Sequence, residues 1–192
     1  MNVLELPAGY RLLEDVDLQK DRGAAGIVCL LSVAIGVACY CFGRLRASLG
    51  ETFSFSGGFS AFAVKFGCML TCMFLYLMLH EWTHGVCIRF LGGVKPKYGY
   101  AGIYLYAGTE RVWFDRKSYI VIALAPVVVW GLALGFLSGF SADGWFWAFY
   151  FVQVVNLSGS AGDLFITWKA LRMPPGILVQ DTGTTMAFYG KR

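Results

Sequence analysis

Four long apolar stretches separated by short charged segments organise the chain. A transmembrane helix needs about 20 mostly apolar residues, because the hydrocarbon core is about 30 Å thick and each helical residue rises about 1.5 Å. Stretches at about 24–42, 66–91, 119–137 and 145–168 meet that length. The first carries no charge. The second carries His80, Glu81, His84 and Arg89 in its later half, and the third is uncharged with Pro126 in its first half. The fourth contains Asn156, Asp163 and a run of small residues over 158–162. Such a run can unwind, which a bilayer tolerates only where the backbone lines protein or a water-filled cavity.

The segments between these stretches read differently. Tyr98, Tyr100, Tyr104 and Tyr106 recur on one parity, the period of a strand. With a turn at Ala107-Gly108-Thr109 and a return over 111–115, they predict a β-hairpin at about 97–115 on the inner membrane surface. Met173-Pro174-Pro175 stops the fourth helix, and 177–179 adds a short strand. The expected organisation is a cytoplasmic leader (1–23), an integral membrane domain (24–172) and a cytoplasmic tail (173–192). The first stretch reads as a retained anchor rather than a cleaved signal, since five acids precede it and no A-x-A site follows.

Composition agrees with a membrane protein. Hydrophobic residues make up 57% of the 192 and charged residues 15%, against about 45–50% and about 25% in soluble domains. The distribution of charge sets an orientation. With both termini inside, 13 Lys and Arg fall in cytoplasmic segments and only Arg44 and Arg46 in an outer loop, with Lys65 at the outer edge of the second stretch. The expected fold is an all-α polytopic protein of the cytoplasmic membrane, with about four transmembrane helices and the small hairpin. A net charge of +4 without a basic cluster beside stacking aromatics argues against nucleic acid as a partner. Gly131, Gly135 and Gly139 form a small-residue ridge on the third stretch. It reads either as packing inside the chain's own bundle or as the face of a homo-oligomer. The six cysteines show no C-x-x-C and read as small apolar packing residues.

The chemistry is concentrated in His80-Glu81-Trp82-Thr83-His84, an H-E-x-x-H motif that uses both histidines of the chain. On a helix, residues four apart share a face, so both imidazoles can hold one Zn²⁺ with the intervening Glu as general base. Random placement of two His and five Glu gives the motif in about 5 of 10,000 such chains. Ionisable groups are costly in a bilayer and are kept for function. Of twelve acidic residues, only Glu81 and Asp163 fall inside the apolar stretches. His80 lies about 20 Å and Asp163 about 27 Å from the outer ends of their own stretches, so both reach the cytoplasmic half. Asp163 is therefore the best third ligand, with an ion pair to Lys169 or Arg89 as the competing reading and Asp181 as the weaker alternative ligand. Asn156 reads either as a helix–helix hydrogen bond or as a donor to the oxyanion or an extended substrate backbone.

The H-E-x-x-H in an apolar helix, Ala125-Pro126 in the next and the 156–163 run in the last resemble intramembrane metalloproteases of the site-2 protease type. The chain is closer to the small zincin peptidases of bacterial membranes, through His80-Glu81-x-x-His84-Gly85, Lys95-Pro96-Lys97-x-Gly99 and Asn156-x-Ser158-Gly159-Ser160-x-Gly162-Asp163. It departs from site-2 proteases in having Leu164, not glycine, after Asp163. The resemblance implies a zinc endopeptidase that cuts membrane proteins or peptides near the cytoplasmic leaflet. It also implies His80, His84 and Asp163 as metal ligands, Glu81 as general base and acid, and Asn156 beside the substrate. A pseudoprotease that only binds or regulates membrane helices is the alternative.

Overall fold

The computed structural model describes residues 2–102 and 104–191. In chain order the elements are β1 (Tyr10–Asp17), α1 (Arg22–Arg46), α2 (Leu49–Thr52), α3 (Gly58–Gly92), β2 (Lys97–Ala101), β3 (Tyr104–Gly108) and β4 (Phe114–Asp115). Then follow α4 (Arg116–Gly139), α5 (Asp143–Gly159), α6 (Ala161–Arg172), β5 (Leu178–Asp181) and β6 (Thr185–Lys191). Among the described residues three helices, α1, α3 and α4, are long and apolar enough to cross a membrane. The fourth apolar stretch is not one helix of that kind. It divides at Ser160 into α5 and α6, of 17 and 12 residues. The division falls in the small-residue run, and the Ser160 hydroxyl bonds back to the Asn156 carbonyl at 2.8 Å.

The chain separates into two units. One comprises the N-terminal segment to Val28, His80–Pro126 and the chain from Gly162. Its sheet departs from the all-α expectation. The predicted leader and tail pair with each other in a four-stranded antiparallel sheet of order β1-β6-β5-β4. Only β2 and β3 form the hairpin, with Ala101 opposite Tyr104. The turn therefore lies at Gly102, not at 107–109. Gly102 holds a φ of +70°, a conformation that costs glycine nothing. The return strand instead contributes β4, which pairs with β5. Phe114, Val179, Phe188, Ile88, Ile122 and Phe165 close a core shared by this sheet, α3, α4 and α6.

Local hydrogen bonds fix where these helices begin. Asp21 accepts the N–H groups of Gly23 and Ala24 at 2.9 and 3.0 Å, and Asp115 accepts that of Ser118 at 2.9 Å. Both act as N-caps that satisfy first-turn donors. Asn2 donates to the Leu91 carbonyl and accepts from the Asp115 N–H, tying the end of α3 to the start of α4. Lys169 on α6 is paired with Glu14 on β1.

The second unit comprises Cys29–Leu79 and Val127–Ala161. Its cores surround Trp147 and Tyr76. The glycine ridge packs within the chain at two of its three positions. Gly131 faces Asn156 and Gly135 faces Gln153, whose amide donates to the Gly131 carbonyl at 3.2 Å.

Candidate metal centre

The later half of α3 and the first turn of α6 supply the site. His80 and His84 are one helical turn apart, and their Nε2 atoms lie 3.2 Å from each other. The break at Ser160 starts a new helix just before Asp163, placing its carboxylate in the first turn of α6. There the positive end of the helix dipole favours negative charge. Asp163 Oδ2 lies 3.4 Å from His80 Nε2, and Oδ1 lies 3.6 Å from His84 Nε2. Lys169, the competing partner from the sequence, is engaged by Glu14 instead.

These separations suit one small cation. Four donors arranged tetrahedrally about Zn²⁺ at about 2.0–2.1 Å stand about 3.3–3.4 Å apart. The three observed separations bracket that value. The donor set of two imidazoles and a carboxylate is one found at catalytic zinc sites, which keep a fourth position open. The carboxylate of Glu81 stands with the two imidazoles, one ligand atom from each lying within 4.8 Å of the others.

The orientation of His84 has a local cause. Its Nδ1 lies 2.9 Å from the carbonyl oxygen of Ile122 on α4, and both groups are buried. Within a helix that carbonyl would receive the N–H of residue 126. Residue 126 is proline, which has none. The freed carbonyl accepts the Nδ1–H of His84, so the neutral ring presents the Nε2 lone pair to the site. Pro126 is thus coupled to the orientation of His84 through one backbone carbonyl.

The hairpin closes another side. The backbone N–H of Ala107 on β3 lies near the Glu81 carboxylate and acts on it electrostatically. The Thr109 N–H donates to the Asp181 carbonyl at 2.6 Å, anchoring the hairpin to β5. Asp181 itself is engaged elsewhere: its carboxylate accepts the Gly183 N–H at 2.8 Å and the Tyr119 hydroxyl at 3.0 Å. Burial pushes its carboxyl above the ordinary range, partly offset by those hydrogen bonds and by His84. Asp181 ties β5 to α4, one turn before Ile122.

Asn156 lies in the second unit and is fully buried. Its Oδ1 accepts the Tyr76 hydroxyl at 2.9 Å, and its Nδ2 lies 3.4 Å from Gln153 Oε1. The roles of Ile122, Ala107 and Tyr119 were not read from the sequence. Pro126 inside an apolar helix was the available signal for the first of them.

An H-E-x-x-H helix with a converging carboxylate is a candidate metal site of the zincin kind. A family described as "Putative zincin peptidase" matches residues 73–178, and the chain belongs to that family. An uncharacterized 24.7 kDa protein of Pyrococcus woesei, from the gap 5′ region, is 28% identical over 119 residues. The match covers 59% of this chain and 51% of that protein, so the chain spans about half the length of the curated relative it matches. No solved structure matches the chain.

Proposed function

We propose that the chain is a zinc-dependent endopeptidase of the membrane that hydrolyses peptide bonds of membrane proteins or peptides near the cytoplasmic leaflet. The observation that carries this reading is the convergence of His80, His84 and Asp163 at zinc-ligand separations beside Glu81. In this reading His80, His84 and Asp163 hold the ion. Zinc there would supply an acidified water and a polarised carbonyl. Glu81 takes the proton of the attacking water and returns it to the leaving amine. The Ala107 N–H lies near its carboxylate. Asn156, fully buried with its Oδ1 on the Tyr76 hydroxyl, serves in this reading as a helix–helix hydrogen bond between α5 and α3.

The membrane assignment extends the three apolar helices to a fourth crossing by α5 and α6 together, with both termini cytoplasmic. Its support is the 13-to-2 inward bias of Lys and Arg. The test of function is Glu81→Gln in the full-length protein, co-expressed with a tagged single-span membrane protein that the wild type cleaves. The variant should keep its zinc and lose cleavage. Undiminished cleavage would overturn Glu81 as the base and with it the zincin mechanism.

A further inference from the structure

The residue after the second histidine is glycine, and the structure gives a reason. A Cβ on Gly85 would stand 2.5 Å from Tyr98 Cζ and 2.9 Å from Cε1, and closer still to the phenol oxygen. The hydroxyl of Tyr98, on β2, therefore sits in the space that any side chain at 85 would fill. That space belongs to the site. Glu81 and Gly85 are four residues apart and share one face of α3. A helical side chain covers the turn before its own Cα, so the seat vacated at 85 opens toward Glu81.

The hairpin register points to the same place. Tyr98 is opposite Ala107, whose N–H lies near the Glu81 carboxylate. Both members of this cross-strand pair thus meet the catalytic face of α3. Tyr98 is also 52% exposed, so its ring borders open space and is not core packing. Burial and the nearby Glu81 charge push the phenol up, which keeps it a proton-bearing donor.

We propose that Tyr98 is a catalytic residue whose hydroxyl donates a hydrogen bond to the scissile carbonyl oxygen as that oxygen gathers negative charge. The proposal rests on the metallopeptidase reading above. In the step it serves, the water oxygen bonds to the carbonyl carbon and the π pair moves onto the carbonyl oxygen. Glu81 takes the water proton, while Tyr98 keeps its own and only donates the hydrogen bond. When the carbonyl re-forms, the C–N bond breaks and Glu81 returns the proton to the leaving amine. One donor to such an oxyanion contributes about 100-fold or more in kcat.

The test uses the full chain, zinc-loaded, in phospholipid vesicles. The tetrahedral probe is N-phosphoryl-leucyl-phenylalanine amide. Tyr98→Phe keeps the ring on Gly85 and removes only the oxygen. It should retain one zinc per chain and the wild-type melting temperature, bind the probe at least 10-fold more weakly and lower kcat about 100-fold with KM within twofold. Gly85→Ala, which displaces the ring, should give the same losses with zinc retained, and the double variant should be no worse than the stronger single one. Probe affinity and kcat within twofold of wild type in Tyr98→Phe would overturn the proposal. So would failure of the zinc-loaded wild type to bind the probe. A wild type without zinc would instead overturn the metallopeptidase reading on which it rests.

Discussion

Replacing Pro126 by alanine tests the link between a helix irregularity and the metal centre. The substitution restores an N–H that can bond the Ile122 carbonyl, the group that now accepts from His84 at 2.9 Å. Two effects follow, with opposite signs. Proline in a helix interior is about 3 kcal/mol less favourable than alanine, so α4 itself should gain stability. The hydrogen bond that orients His84 should weaken, and loss of such a partner costs about 10–100-fold in metal affinity. The Ile122 oxygen has two lone pairs and can still serve His84 in part. The expected loss is therefore at the lower end, about 10-fold, or about 1.4 kcal/mol. Zinc affinity measured by chelator competition in detergent, with the melting temperature of the zinc-free protein measured beside it, separates the two. The variant should melt at or above the wild-type temperature and bind zinc about 10-fold more weakly. Affinity within twofold of wild type would refute the coupling, as would a loss that only accompanies a lower melting temperature.

Asp163→Ala should lower zinc affinity at least 100-fold and abolish cleavage, whereas Lys169→Met, which breaks the pair with Glu14, should leave zinc binding within twofold; inductively coupled plasma mass spectrometry of both variants checks this. Stripping zinc from the wild type should lower its melting temperature, since a ligand held at 100 times its Kd adds about 2.7 kcal/mol; an unchanged melting curve would show that no ion joins α3 to α6. Asn156→Ala and Tyr76→Phe, which each break the buried Asn156–Tyr76 hydrogen bond, should lower the melting temperature alike with zinc retained. A 10-fold loss of cleavage in Asn156→Ala alone would instead assign Asn156 to the substrate.

The fold and the site were legible in the sequence to different depths. His80, Glu81 and His84 could be read from spacing because a helix imposes it. Asp163 could be read because an acid in an apolar stretch is costly and must be compensated. The small-residue run announced the break at Ser160, which places Asp163 in a first turn and leaves two short helices where one long one was expected. The strand expected at 177–179 appears as β5, but the pairing of the sheet was not legible, because β1 and β6 pair across the whole length of the chain and no local pattern encodes that partner. Within the hairpin, alternating tyrosines identified strands, but the turn was expected at Ala107-Gly108-Thr109; the register of β2 and β3, with Ala101 opposite Tyr104, places it at Gly102. The Ile122 carbonyl is a backbone group, visible in sequence only through the proline that frees it.

In the proposed site one zinc ion is held by His80, His84 and Asp163. The most direct test is the metal content of the full-length protein purified in detergent without added zinc, compared with His80→Ala prepared identically. About one zinc per wild-type chain is expected, and less than a tenth of that in the variant, with both proteins retaining the same helical circular dichroism. A folded wild-type protein free of zinc, or a His80→Ala protein that keeps it, would rule out His80 as a zinc ligand.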